Sequence, residues 1–243
     1  SKVALGTSFV VRKRKINGFR GKYFDLNQKY GKSVDKQAAF ETELRKGSFY
    51  LVDEDNFSDL PGNQIAFWVN EKFFDAFENG ENIKQYIDTF QGIITGNNDK
   101  FLRLWHEVDF TKIAIGYAEV KDIEIKKTHW IPYNKGGESV KWYGNQDYII
   151  DWTNGSSDKT RGKKTFQNYY LREYVSWAYI SLALSTRYYP EGFLWDVHGS
   201  GFFDKGDNML YYLMALTNSV VGDEILKILN STISYQVENI AQI

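Results

Sequence analysis

The first arrangement along the chain that could do chemistry is a pair of acids with a lysine. Asp109 stands ten residues before Glu119-Val120-Lys121, and an aspartate with a Glu-x-Lys can hold a divalent ion and position an attacking water, as in a metal-dependent nuclease. Glu124-Ile125-Lys126 repeats the tripeptide, and 14 Glu with 22 Lys in 243 positions give about one copy by chance. The nuclease therefore stands as an alternative. Gly31-Lys32-Ser33 resembles the end of a phosphate loop, but Leu26 occupies the place of its first glycine, and no Gly-x-Gly-x-x-Gly opens a helix. Gly199-Ser200-Gly201 lacks the nucleophile elbow of a hydrolase, and His-Glu-x-x-His is absent.

The 41 aromatic residues carry more information, and those outside the core stand beside bases and glycines. Trp130-Ile131-Pro132-Tyr133-Asn134-Lys135-Gly136-Gly137 is followed by Lys141-Trp142-Tyr143-Gly144-Asn145, and the stretch 158–164 adds Lys159, Arg161, Lys163 and Lys164. Glycine lets backbone approach a partner, lysine neutralises phosphate, asparagine can contact adenine in a bidentate manner, and aromatic faces stack on bases. A carbohydrate-binding module would use similar aromatics. Each asparagine beside a glycine can equally serve a tight turn.

Short elements must hold these residues. Thr7–Val11 and Tyr23–Leu26 read as two strands of a hairpin around Asn17-Gly18 and a basic loop. From Ser33 the pattern turns helical: Ser33 or Asp35 can cap, Phe40 and Leu44 share a face, and Gly47 ends the run before a strand at Phe49–Val52. Val69, Phe73, Ala76 and Phe77 recur at helical spacing up to Gly80, which predicts a buried stripe and a plausible boundary at 79–82. Strand-like runs follow at Phe101–Trp105, Ile113–Tyr117, His129–Tyr133, Tyr148–Trp152, Val175–Leu182 and Gly192–Val197. One final stripe runs through Leu210, Leu213, Met214, Thr217, Val220 and Val221, with Ile225, Ile228 and Leu229 beyond Gly222. The fold class is α+β, with a mixed, largely antiparallel β region and packed helices.

Composition limits the partners. Net charge is −1, but residues 1–32 carry +8, residues 33–91 carry −7 and the remainder −2, so a polyanion footprint would cover only part of the surface. A solvated basic hairpin accounts equally well for the first segment. With no cysteine, disulfides and thiolate sites are excluded, and three scattered histidines leave little for a histidine-built metal centre. No apolar run reaches a membrane span of about 18 residues and no leader is apparent, so the expectation is a soluble, cytoplasmic chain without a membrane partner.

Several ordered blocks then converge on one family. Phe67-Trp68-Val69-Asn70-Glu71-Lys72, Phe77-Glu78-Asn79-Gly80, Gln91-Gly92-x-x-Thr95-Gly96-Asn97-Asn98-x-x-Phe101-Leu102-Arg103-Leu104-Trp105 and Pro132-Tyr133-Asn134-Lys135-Gly136-Gly137 appear in that order. Lys141-Trp142-Tyr143-Gly144-Asn145, Ser185-Thr186-Arg187-Tyr188, Leu216-Thr217-Asn218-Ser219 and Ile228-Leu229-Asn230-Ser231-Thr232 follow. Together they resemble the C-terminal half of large N6-adenine DNA methyltransferases, particularly the PglX-type enzymes of phage defence and related restriction–modification enzymes. Residues 6–10 and Gly21-Lys22-Tyr23 likewise resemble the last strand pair of the catalytic domain.

The resemblance implies a division of labour. Residues 1–90 would be a remnant of the methyltransferase domain with a helical connector, and residues 91–243 a DNA target-recognition domain. The family transfers methyl from S-adenosylmethionine with an Asn/Asp-Pro-Pro-Tyr motif, whereas the three prolines here, Pro61, Pro132 and Pro190, are never adjacent. The aromatic-lined site for a flipped adenine cannot be built from this chain, so catalysis, and S-adenosylmethionine with it, belongs to the parent enzyme. The chain also stops where the family pattern would continue, as an excised fragment would. Its partners would be double-stranded DNA and the catalytic domain of the parent chain. Phosphate positioning would fall to Lys100, Arg103, Lys135, Lys141, Arg161, Lys163, Lys164 and Arg187, with Asn98, Asn134 and Asn145 at base edges or turns and Trp142 as a stacking face. Arg103 could instead pair with Glu107 or Asp99. A non-enzymatic protein-interaction scaffold is the remaining alternative.

Overall fold

The computed structural model describes residues 7–26, 35–153, 164–230 and 232–243, which divide into two compact units, Ser1–Gly80 and Glu81–Ile243. The division falls within the Asn79–Asn82 exit, and Ile87–Phe90 is a strand of the second unit.

In the first unit, strand β1 (Arg20–Tyr23) pairs antiparallel with β2 (Tyr50–Asp53), Arg20 opposite Asp53 and Tyr23 opposite Tyr50. The expected hairpin partner, Thr7–Val11, forms no strand; Phe9, Val10 and Val11 stand exposed, so the run has β propensity but no surface to bury it. Helix α1 (Lys36–Lys46) begins where Asp35 accepts hydrogen bonds from the amides of Gln37 and Ala38, and it ends at Gly47 in the left-handed region (φ 68°). Its buried residues are Ala39 and Glu43, whereas Leu44 is exposed and Phe40, partly exposed, packs on Phe24 at 4.8 Å. Helix α2 (Glu71–Asn79) is capped by Asn70 but buries none of its side chains fully. Aromatic contacts hold this small unit: Tyr23 stacks on Phe67 at 5.2 Å and meets Phe57 edge-on at 5.6 Å.

The second unit contains two four-stranded sheets. The first has the order β3 (Ile87–Phe90), β10 (Gly201–Asp204), β7 (Tyr174–Trp177) and β8 (Thr186–Tyr189), all antiparallel. The second has the order β4 (Leu102–Leu104), β6 (Tyr148–Asp151), β5 (Trp130–Asn134) and β9 (Leu194–Trp195), with the last pair parallel. Register places Tyr189, Tyr174 and Phe203 side by side, and Tyr174 stacks on both neighbours at 5.1 and 5.0 Å. This row joins Ile131, Tyr133, Ile150, Leu194 and Trp195 of the second sheet in one core. The opposite side of β7 and β8 lies under C-terminal segments, since the Trp177 indole donates to the Tyr235 carbonyl at 2.9 Å. Every residue of β7 is therefore buried, as in a strand covered on both faces.

Several expected elements change: Val175–Leu182 is strand only as far as Trp177, and Gly192–Val197 only at Leu194–Trp195. Ile113–Tyr117 makes one bridge, Ile113 to Trp130, and is otherwise loop. The last helical stripe breaks into α3 (Leu210–Asn218) and α4 (Val220–Leu229), because Ser219 is extended (ψ 165°) and its hydroxyl caps the amide of Gly222 at 3.1 Å. Val220 and Val221 consequently face solvent instead of continuing the stripe. The expected α+β class with largely antiparallel sheets is the observed one.

Candidate nucleic-acid interface

Strand β5 ends in Asn134, and the segment 135–145 returns to the edge of β8. Asn134 is fully buried: its amide donates to the Ser176 hydroxyl at 2.8 Å and the Gly199 carbonyl at 3.2 Å, while its carbonyl oxygen accepts from the Gly136 amide at 2.9 Å. It is a turn residue sealed in the core, the turn alternative of the two roles open to it. Gly136 allows the close approach that follows, since a Cβ there would lie 2.6 Å from the His198 carbonyl oxygen and φ is +90°.

Arg187 also lies inside. It is fully buried on β8, donates to the Gly136 carbonyl at 3.1 Å and lies 5.7 Å from the centre of the Tyr189 ring. One terminal nitrogen finds no partner among the described residues. The guanidinium holds the loop down from beneath and cannot reach a phosphate outside. Lys135 donates to Asp196 at 2.6 Å, and Asp196 also accepts from the Tyr133 hydroxyl at 2.8 Å and the His198 amide at 2.9 Å. Its charge is thereby neutralised. Burial, reinforced by that carboxylate, pushes the Tyr133 phenol well above its ordinary value.

Beyond Gly137 the loop faces outward. The Asn145 side chain closes it by donating to the Glu138 carbonyl at 2.9 Å, and the Tyr189 hydroxyl donates to the Asn145 carbonyl at 2.7 Å. Asn145 sits at φ 57°, the turn alternative for this residue. The Lys141 ammonium donates to the Asn218 carbonyl at 2.9 Å, where it complements the C-terminal end of α3. The Trp142 amide donates to the Thr186 carbonyl at 3.1 Å, and its own carbonyl accepts from the Tyr188 amide at 2.8 Å. The outer edge of β8 is thus occupied by the loop and by Asn218, whose side chain bonds both the amide and the carbonyl of Thr186. Trp142 and Tyr143 remain exposed at 52% and 59%.

The other named residues lie elsewhere. Asn98, Lys100 and Arg103 belong to a single helical turn, Asn98–Phe101, and to β4, the opposite edge of the second sheet from β9. Asn98 accepts from the Thr95 hydroxyl, and Lys100 lies 4.9 Å from the centre of the Phe101 ring. Arg103 bonds the carbonyls of Asp99 and Leu102 at 2.7 and 2.6 Å, whereas Glu107 accepts from the Leu104 amide. Arg161 and Lys163 lie outside the described residues, and Lys164 begins a 3-10 turn, Lys164–Tyr169. Sequence reasoning missed three hydroxyls: Ser139 and Ser185 lie 2.5 Å apart, and Ser181 donates to Ser139 at 3.1 Å. Isolated serines give no signal of such convergence.

The residues of the nuclease alternative are bonded locally. Asp109 caps a 3-10 turn, accepting from the hydroxyl and amide of Thr111 at 2.7 and 3.0 Å, bonds that hold its carboxyl below the usual range. Glu119 pairs with Lys121. Among the described residues, no three His, Asp or Glu side chains gather where they could hold a metal. No helix among them is long and apolar enough to cross a membrane.

No protein-family model matches the chain. The adenine-specific methyltransferase PglX of Lacticaseibacillus casei (strain Zhang) is 35% identical over 246 aligned residues, covering 95% of this chain and 20% of that protein. The adenine-specific methyltransferase BrxX of Escherichia coli O9:H4 (strain HS) is 29% identical over 228, covering 88% of this chain and 17% of its own length. The chain thus spans about a fifth of the length of the curated relatives it matches. By sequence it is similar to one segment of each of these two adenine-specific methyltransferases.

Proposed function

We propose that this chain is a DNA-recognition part of an adenine-specific DNA methyltransferase of a restriction–modification or phage-defence system, and that methyl transfer from S-adenosylmethionine takes place elsewhere in the parent protein. The observation that carries the reading is the continuous similarity of nearly the whole chain to proteins named adenine-specific methyltransferases. The lack of adjacent prolines, which leaves no Asn/Asp-Pro-Pro-Tyr sequence, supports the absence of the transfer site from this segment. Among the described residues the DNA-facing groups are Lys141, Trp142 and Asn145 of the loop, with Asn98, Lys100 and Arg103 as a second group. Arg161, Lys163 and Lys164 receive the phosphate role on their sequence alone. Glu81–Ile243 does the reading, and the first unit connects it to the catalytic domain.

The test is binding of fluorescent duplexes to the 243-residue chain across a salt series. The reading expects affinity to fall linearly with log salt, as phosphate contacts release counterions, and to differ among duplex sequences. Salt-independent binding, or none at low salt, counts against it.

A further inference from the structure

We propose that Trp142 is a fixed wedge that enters the base stack of the bound duplex; this rests on the DNA-recognition reading above and specifies its mode of contact. The backbone is the starting point. Trp142 has φ +75°, a conformation that a bulky side chain rarely adopts and that persists only where surrounding structure imposes it. Here both of its backbone polar groups are tied to the edge of β8, at Thr186 and Tyr188, while Lys141 is anchored on Asn218 and Asn145 closes the loop on Glu138. A turn alone would not call for tryptophan. Gly144 (φ +135°) and Asn145 (φ +57°) already supply left-handed positions in the same loop with residue types suited to them.

The side chain explains what the backbone does not. Trp142 is 52% exposed and stacks on no other ring among the described residues, although Tyr174, Tyr189, Trp195 and Phe203 pair closely within the core. Its anchored backbone lowers the ordering cost of presenting a large flat ring to a partner. The neighbour in the chain suits a phosphate: Lys141 has three ammonium hydrogens, one of which is used on Asn218, whereas the hydroxyls of Ser139, Ser181 and Ser185 are bonded to one another and to the Ala183 carbonyl. An exposed aromatic face with an ammonium next to it in the chain matches a base step flanked by its backbone. An apolar or aromatic wedge held this way partly unstacks the step it enters.

A mismatched pair in the duplex has already lost part of its stacking, so a wedge must favour it. The experiment compares a 30-base-pair duplex with the same duplex carrying one central mismatch, for the wild-type chain and for Trp142→Ala, Trp142→Phe and Trp142→Gly. The wild type is expected to prefer the mismatched duplex about tenfold, the range of one base–aromatic stack. Trp142→Ala should bring the two affinities within about twofold, and Trp142→Phe should keep part of the preference. Trp142→Gly, which accepts the backbone conformation without strain, should lose the preference while circular dichroism remains native, which separates the contact from folding. A wild type that binds both duplexes equally, or a Trp142→Ala that keeps the preference or weakens both affinities alike, overturns the wedge and leaves DNA recognition standing. Absence of salt-dependent binding to either duplex overturns both.

Discussion

Asn134 and Gly199 form a pair whose coupling tests whether the loop is built from the inside, as described above. A Cβ on Gly199 would lie 2.7 Å from Asn134 Oδ1 and 2.8 Å from both Cγ and Nδ2, and these are its three nearest contacts. Gly199→Ala therefore forces the buried amide out of position, at about 2–3 kcal/mol for an overpacked site with displaced hydrogen bonds. Asn134→Ala leaves the Gly136 amide without its acceptor, whereas the Ser176 hydroxyl still has the carbonyls of Gly199 and Ser200 within reach of its one hydrogen, at 3.1 and 2.9 Å. One orphaned buried donor and the lost packing cost about 2–4 kcal/mol. In the double variant the alanine methyl occupies space vacated by the amide, so the cost of Gly199→Ala should drop by about 1–3 kcal/mol relative to the wild-type background. Urea unfolding of the four proteins gives the coupling directly. Additive effects within about 0.5 kcal/mol would refute the argument, and so would an Asn134→Ala variant that keeps full stability but loses DNA affinity, which would place this residue at the DNA surface.

Other consequences follow from the same geometry. Arg187 has no carboxylate within ion-pair distance among the described residues, so Arg187→Met should cost no more than about 1 kcal/mol while Arg187→Ala costs about 3 or more; equal losses in urea melts would contradict this. Gly136→Ala meets both a left-handed backbone and the His198 carbonyl and should cost about 2–4 kcal/mol. Gly96→Ala, at φ +72° with open space around it, should cost only about 1 kcal/mol. Burial raises the phenols of Tyr133, Tyr170 and Tyr174 above the ordinary 10.0, so the folded state keeps their protons where the unfolded chain releases them. That contribution is complete below about pH 10 and is lost as pH rises through and beyond it; the urea midpoint should fall on that side, with late tyrosinate absorbance at 295 nm, and a flat midpoint would be inconsistent with these buried phenols.

Local chemistry was the legible part of the sequence. Asp35 and Gly47 mark the ends of α1, and Gly80 closes α2, because caps depend on residues within one turn of the chain. Trp130–Asn134 and Tyr148–Asp151 were readable as strands from their apolar β-rich runs. Ile87–Phe90 and Gly201–Asp204 escaped notice, since four residues with an aspartate in each make no pattern until they pair with one another. Thr7–Val11 failed in the opposite way, with the right composition and no partner. At the interface, lysine, arginine and asparagine were assigned outward by residue type. Lys141, Trp142 and Asn145 do come together with Lys135 and Arg187 in one loop and strand edge, but the burial of Asn134 and Arg187 is set by Ser176, Gly199 and Gly136, contacts that no local signal announces.

The most direct test of the DNA-recognition reading is a transplant. Residues 81–243 replace the matching segment of a full-length PglX-type relative, and the N6-methyladenine positions of the host genome are mapped. The account expects methylation to move to a new sequence motif, with Trp142→Ala in the transplanted segment weakening modification of that motif. A chimaera that methylates the relative's original motif unchanged would contradict it.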